Sequence, residues 1–265
     1  MCRSSRTRLY TSPVASLAYS NFGNRRILDP IIGPDREGNL IRVSWGNTMN
    51  TRLLATIQRA LVRTGVELMP FIPLPAEWYR KLLVRDSEKR YATGRWEYFR
   101  DITESYRYSI IRGCCEYYKP GSPTILDVGC GEGVLQERCS YSRYVGIDMN
   151  STAIGRAKAR EDSKTEFILS SARDYTPKDV VFDVIVFNES LYYIQNPIDV
   201  LQQYRSYLAS EGIVIVCMFQ TYLARRIWKE LHRIGLTELS YVKIVNEPGF
   251  AAIVRVYGES RPPPG

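Results

Sequence analysis

Histidine occurs once in the 265 residues, at position 232. A chain with one imidazole cannot assemble the His-rich ligand sets that zinc or non-haem iron usually needs. The six cysteines (Cys2, Cys114, Cys115, Cys130, Cys139, Cys217) are too few and too irregularly spaced for a disulfide scaffold, and no Cys-x-x-Cys pair occurs among them. Their usage points to a reducing, cytoplasmic setting without a metal site. Long hydrophobic runs are missing too. A stretch such as 213–219 falls well short of the ~18–20 apolar residues that span a bilayer, so no membrane span is expected. There is no internal repeat.

What is present is ordinary globular material, 45% hydrophobic and 24% charged, in a length that suits one decorated domain. The net charge of +8 is unevenly spread: residues 1–90 hold 15 Lys/Arg against 7 Asp/Glu, and residues 91–265 hold 21 of each. Any polyanionic partner, nucleic acid included, would therefore meet the N-terminal third, and the neutral larger part disfavours that reading. Residues 1–28 are Arg- and Ser-rich with no acid. That composition fits an organellar targeting segment, a flexible tail, or a translation start set too far upstream. Residues 29–48 are rich in turn formers and read as irregular, so 1–48 form an extension. A basic amphipathic helix is predicted over 49–63, with Leu53, Leu54, Ile57, Leu61 and Val62 on one face. The prolines of 70–75 break it, and 49–118 read as a helical cap or lid.

A helix predicted over 96–118 stops at Lys119-Pro120-Gly121. Beyond it strands at 124–128, 144–147, 165–169, 181–187 and 212–219 alternate with helical stretches at about 133–140, 151–160, 197–209 and 220–233. Val and Ile fill both faces of these runs, which is the pattern of a parallel sheet covered on both sides. Residues 236–245 and 250–257 are separated by Asn246-Glu-Pro-Gly249 alone. Four residues are too few for a parallel crossover and dictate an antiparallel hairpin. The fold class is α/β, a doubly wound, seven-stranded, mostly parallel sheet with a terminal antiparallel hairpin and a helical N-terminal extension. The sheet domain spans 119–258, and 259–265 form a disordered tail.

The densest signal is Ile125-Leu-Asp-Val-Gly-Cys-Gly-Glu-Gly-Val-Leu135. It sets Asp127, Gly129, Gly131 and Gly133 in a D-x-G-x-G-x-G frame between a strand and a predicted helix. A dinucleotide fingerprint needs G-x-G-x-x-G, so a pyrophosphate cradle is disfavoured. Close-set glycines let a ligand approach the backbone, and the acid before them suits an ammonium better than a phosphate. A second carboxylate about 20 residues on would accept hydrogen bonds from both hydroxyls of a ribose, and Asp148 stands 21 residues after Asp127.

With these motifs the chain, over roughly residues 91–258, resembles the class I S-adenosylmethionine-dependent methyltransferases. Its final hairpin also separates it from the dehydrogenases. The resemblance implies S-adenosylmethionine as cofactor. Asp127, Gly129, Cys130 and Gly131 would line its methionine end, Asp148 would bind the ribose, and Met149 would pack on the adenine. The family usually has an acid for the adenine amino group where this chain has Ser171, so a backbone contact from Ala172 or Arg173 is expected in its place. The segment Phe187-Asn-Glu-Ser-Leu-Tyr-Tyr193, where cofactor and acceptor should meet, looks most like the small-molecule branch that includes the nodulation-type N-methyltransferases. Asn188 is expected beside the cofactor, Glu189 and Tyr193 at the chemistry, and Tyr192, Trp96 and Tyr98 around a small-molecule acceptor amine or hydroxyl.

Blander readings stand beside several of these. Asn188 is a good N-cap, and Glu189 in a first helical turn would be stabilising by ~0.3–1 kcal/mol with no role in catalysis. Tyr192 and Tyr193, adjacent on a helix, would point about 100° apart, so one of them faces the site. Trp96 and Tyr98 could be core. Cys114 and Cys115 read as packing, and His232 as a partner for helix C-terminal carbonyls. Two other functions stay open: an RNA or protein methyltransferase gripping its substrate with the basic extension, and a non-catalytic binding module of the same fold.

Overall fold

In the computed structural model the described residues are 77, 80, 81, 83, 84, 87, 91, 100, 104–178, 180–245 and 251–259, together with 31–34, 40–42 and 102–103 by their backbone alone. The chain divides into two compact units, residues 1–72 with 246–249, and residues 73–245 with 250–265.

In the first unit, β1 (Ile31–Pro34) pairs antiparallel with β2 (Leu40–Arg42). The expected irregular stretch thus contains a strand pair. Its two arms are the Ile-Ile and Leu-Ile runs on either side of the turn formers, and β-branched residues favour a pleated backbone. The helix expected over 49–63 lies outside the described residues.

The second unit holds α1 (Ile102–Tyr118), β3 (Thr124–Val128), β4 (Arg143–Asp148), α2 (Ser151–Ala157), β5 (Thr165–Leu169), β6 (Phe182–Asn188), α3 (Pro197–Arg205), β7 (Leu208–Phe219), α4 (Tyr222–Glu230), β8 (Thr237–Val245) and β9 (Ala251–Gly258). The sheet order is β5-β4-β3-β6-β7-β9-β8. Strands β3 to β7 run parallel, and β9 pairs antiparallel with both β7 and β8. This is the expected seven-stranded sheet with its reversed hairpin.

Burial on both faces explains the near-continuous apolar strands. Tyr108, Ile111 and Cys115 of α1 pack on one face with Ile125, Tyr144, Phe167, Val184 and Val186. On α3, Tyr204 meets Phe187 of β6 at 5.5 Å between ring centroids. Side chains begin two helices: Asn150 Oδ1 accepts from Ala153 N (2.9 Å) at α2, and Thr221 Oγ1 from Ala224 N (3.0 Å) at α4. Near the end of the α4 segment His232 Nδ1 lies 3.0 Å from the Lys229 carbonyl, the C-terminal role expected of it.

The helix expected at 133–140 is not formed. Turns run to Leu135 and one 3-10 turn, Gln136–Arg138, follows. Gly131 and Gly133 take φ of 55° and 76°, outside helical space, so the residues meant to begin a helix are used up in the loop.

Strand order reverses across the β3/β6 pair. β3 continues outward to β4 and β5, whereas β6 leads to β7, so the crevice at the carboxyl ends of β3 and β6 is the topological switch point. The glycine loop leaves β3 there, and Asn188 and Glu189 end β6 beside it.

Candidate active site

The glycine loop is tied back onto the sheet by its own backbone. Gly129 N and Cys130 N both donate to the Ile147 carbonyl, at 2.8 and 3.0 Å. Gly129 has φ of 79°, and a Cβ there would lie 2.5 Å from the Ser190 Cβ, so the loops after β3 and β6 touch at a point with no room for a side chain. Beneath the loop, the Phe167 ring and the Cys130 sulfur occupy the space that a Cβ on Gly146 would need, at 2.6 and 2.9 Å.

Asp127, 2% exposed, accepts from the Tyr144 hydroxyl at 2.6 Å through Oδ2. Burial pushes its carboxyl up to about 7, with Tyr144 opposing and the charge of Asp148 adding to the rise. Asp148 Oδ2 accepts from Gly131 N (2.9 Å) and Oδ1 from Asn150 N (2.8 Å). Burial raises its pKa as well, against these backbone N–H groups and that of Met149. Each carboxylate oxygen has more than one acceptor direction, so hydroxyl donors can still be received.

Two buried oxygens at this switch point have no hydrogen-bond partner among the described residues: Asp127 Oδ1 and Ser190 Oγ. Buried polar atoms left this way are costly, and a donor delivered by a ligand would relieve both. With the glycine cradle and a ribose-type acid, they fit a cofactor that brings an ammonium group and a sugar diol.

At the end of β6, Asn188 caps no helix. Its Oδ1 accepts from Arg107 Nη1 at 3.1 Å, and the Leu191–Tyr193 segment is a 3-10 turn that starts after Ser190. Glu189 has φ of 58° and donates its backbone N–H to the Cys217 carbonyl at 2.9 Å. Its side chain, 11% exposed, lies 3.7 Å from Arg107 Nη1 and accepts from the Tyr192 hydroxyl. The cap reading of Glu189 therefore fails, because the carboxylate is held by Arg107 and Tyr192 and the 3-10 turn has no side-chain cap. Burial raises its pKa to about 7, opposed by Arg107 and Tyr192 and reinforced by Glu104.

Tyr192, expected on the acceptor wall, is the tyrosine that reaches Glu189. Tyr193, expected at the chemistry, is half-buried next to Tyr192 with ring centroids 5.0 Å apart. Met149 is 58% exposed at the end of β4. After β5 the Ser171 hydroxyl donates to Asp174 Oδ2 at 2.6 Å. Arg173 Nη2 donates to the Gln195 carbonyl at 3.0 Å, and Ala172 is half-buried between them. Trp96 and Tyr98 lie outside the described residues.

Neither Arg107 nor Tyr91 stands out in the sequence. Arg107 is one of several arginines on an amphipathic helix, and nothing in the spacing marks it as the one that turns inward. Tyr91 is 9% exposed, and its hydroxyl would lie 2.6 Å from a Cβ on Gly131. Among the described residues no group of three or more His, Cys, Asp or Glu gathers as a metal-ligand set, and no helix is long and apolar enough to cross a membrane.

A sheet in this order, with a glycine loop and a ribose-type acid at its switch point, is the class I methyltransferase architecture. The chain belongs to the methyltransferase-domain family, whose pattern matches residues 93–253. It is 28% identical over 176 residues to a Geobacillus sp. (strain WCH70) protein named as a methyltransferase, covering 63% of this chain and 65% of that one. To the ubiquinone biosynthesis O-methyltransferase of Actinobacillus pleuropneumoniae serotype 7 it is 28% identical over 100 residues, 34% of this chain and 43% of the relative. The match thus spans less than two thirds of either curated relative. Among solved structures, the N-methyltransferase NodS of Bradyrhizobium japonicum WM9, in complex with S-adenosyl-L-homocysteine, superposes with a TM-score of 0.51 at 20% identity, covering 63% of this chain and 92% of NodS. At that identity the likeness is one of fold.

Proposed function

We propose that the protein transfers a methyl group from S-adenosylmethionine to an amine or hydroxyl of a small metabolite, with Glu189 taking the acceptor's proton. The carrying observation is the position of Glu189: a buried carboxylate at the carboxyl end of β6, one residue from the Ser190 that touches Gly129 of the cofactor loop. Asp127, the glycine loop and Asp148 would hold the cofactor, with Met149, Ala172 and Arg173 toward its adenine. Bound S-adenosylmethionine supplies a methyl made electrophilic by the sulfonium that carries it. What the chain adds is largely orientation, which can be worth effective molarities of ~10⁵ M or more. An amine must be neutral to attack, and a phenol attacks best as its anion. In either case a proton leaves the acceptor, and a carboxylate titrating near neutrality within reach of the crevice can receive it. The ubiquinone-biosynthesis relative is named for O-methylation and the fold neighbour NodS for N-methylation, so both acceptor atoms belong in the test.

The test is mass spectrometry of the full chain incubated with S-adenosylmethionine and a pool of small amines and phenols, alongside Glu189→Gln and Asp148→Ala. A product heavier by one methyl group, absent with either variant, is expected. By calorimetry, S-adenosylhomocysteine should bind the parent and Glu189→Gln and fail to bind Asp148→Ala. Methylation by Glu189→Gln at the parent rate overturns the base, and no heat from the parent overturns the cofactor.

A further inference from the structure

Among the described residues Arg107 is the largest fully buried charged one, 1% exposed, on a helix whose neighbouring positions mostly pack apolar groups on the sheet. A guanidinium in such a place is tolerated only with its charge and its donors answered. Its Nη2 donates to Glu104, one helical turn back, and its Nη1 to Asn188 Oδ1 at 3.1 Å. Its Cζ lies 5.4 Å from the Tyr108 ring centroid and 5.3 Å from that of Phe219. Two rings beside the guanidinium and hydrogen bonds from both of its terminal nitrogens hold it in place, with Nη1 3.7 Å from Glu189 Oε1.

We infer that Arg107 is a positioning residue for methyl transfer: clamped between Glu104 and Asn188, it fixes the orientation and charge state of the Glu189 carboxylate. The inference rests on the proposed role of Glu189 as base. One guanidinium serves two carboxylates here, so Glu104 competes with Glu189 for it. Glu189 needs its second partner, the Tyr192 hydroxyl, to stay aimed. Among the described residues the other groups facing Glu189 are Tyr106 on the same helix as Arg107, and Cys217 of β7, whose Sγ lies 3.9 Å from Oε1. Both are neutral at physiological pH, and burial pushes both further from ionising. Among the described residues Arg107 and Glu104 are therefore the two neighbours whose charges act on Glu189, in opposite senses.

The experiment follows the Glu189 carboxyl signal by carbon-13 NMR in the full chain, assigned by its loss in Glu189→Gln, in the parent, Arg107→Met, Arg107→Lys and Glu104→Gln. S-adenosylhomocysteine affinity is measured in parallel. Removing the guanidinium should raise the titration midpoint by one pH unit or more, Arg107→Lys should restore most of it, and Glu104→Gln should lower it. S-adenosylhomocysteine affinity should stay within about threefold throughout. An unmoved midpoint in Arg107→Met overturns the inference. If Arg107→Met does not fold, the other two variants decide: a lowered midpoint in Glu104→Gln supports it, and no movement in either overturns it. Loss of S-adenosylhomocysteine binding by the parent would instead refute the proposed function, a separate result.

Discussion

The Tyr144 hydroxyl donates to Asp127 at 2.6 Å across adjacent parallel strands, and neither side chain is more than 2% exposed. The two residues stand 17 apart in sequence, and the bond leaves Asp127 Oδ2 satisfied and Oδ1 open toward the switch point. Tyr144→Phe strips Asp127 of that donor. An ionised carboxylate suffers from the loss more than a neutral carboxyl does, so the variant should lose about 1–3 kcal/mol at pH 8 and less at pH 5. Urea unfolding at the two values measures this, and equal losses at both would show that Asp127 does not depend on Tyr144 for its charge.

Asp127 and Glu189 are both raised to about 7 by burial, from ordinary carboxylate values near 4. An acid raised on folding holds its proton in the native state over a range where the unfolded chain has released it. The associated stability is present below pH 4 and is lost as pH rises through about 7. Between pH 5 and 7 the ligand-free protein should therefore lose stability, at up to about 1.4 kcal/mol per pH unit for each group. Glu189→Gln removes one of the two contributions and should make the decline shallower. Thermal unfolding across that range checks the sign, and a melting temperature that climbs with pH would contradict it.

The sheet was legible because parallel strands buried on both faces read as continuous Val/Ile runs, and the four-residue gap at 246–249 admits only a hairpin. The glycine loop after Asp127, and Asp148 that accepts from it, were legible because backbone that takes positive φ and meets its neighbours closely constrains sequence locally. The second half of the site was not. Glu189 is held by Arg107 from 82 residues upstream, an inward turn of one arginine that helical periodicity does not single out. The blander cap reading of Asn188 failed for the same reason, since its side chain answers a distant guanidinium and not a neighbouring amide. The helix expected at 133–140 failed because glycine frame and helix start compete for the same residues, and the positive φ of Gly131 and Gly133 decides for the loop.

Gly146 has ordinary strand geometry, and its lack of a side chain makes space for Phe167 and Cys130 under the cofactor loop. A Cβ there would lie 2.6 Å from Phe167 Cδ1 and 2.8 Å from Cε1. Gly146→Ala should cost about 1–3 kcal/mol, the usual penalty of overpacking, and weaken S-adenosylhomocysteine binding by lifting the loop. Adding Phe167→Leu removes the obstructing ring atoms, so the pair should be less destabilising than the sum of the two single changes. Strict additivity in a double-mutant cycle would mean that the ring is not what Gly146 accommodates.

Arg156 on α2 joins two parts of the proposed cofactor site that are distant in sequence. Its Nη1 pairs with Glu132 in the glycine loop at 2.6 Å, and its Nη2 donates to the Tyr91 carbonyl at 3.2 Å. The Arg156 side chain is 40% exposed, and an ion pair that wet is worth at most about 1 kcal/mol to the fold. Its value lies in holding Tyr91, whose hydroxyl stands over Gly131, at a fixed distance from the loop. Arg156→Ala should therefore leave the urea midpoint nearly unchanged and weaken S-adenosylhomocysteine binding several-fold. Arg156→Lys keeps a charge for Glu132 but cannot serve both acceptors at once, so its affinity should fall between the two. Calorimetry on the three proteins separates the cases. A several-fold weakening at constant stability fits a tether for Tyr91, whereas an unchanged affinity would reduce Arg156 to an ordinary surface charge.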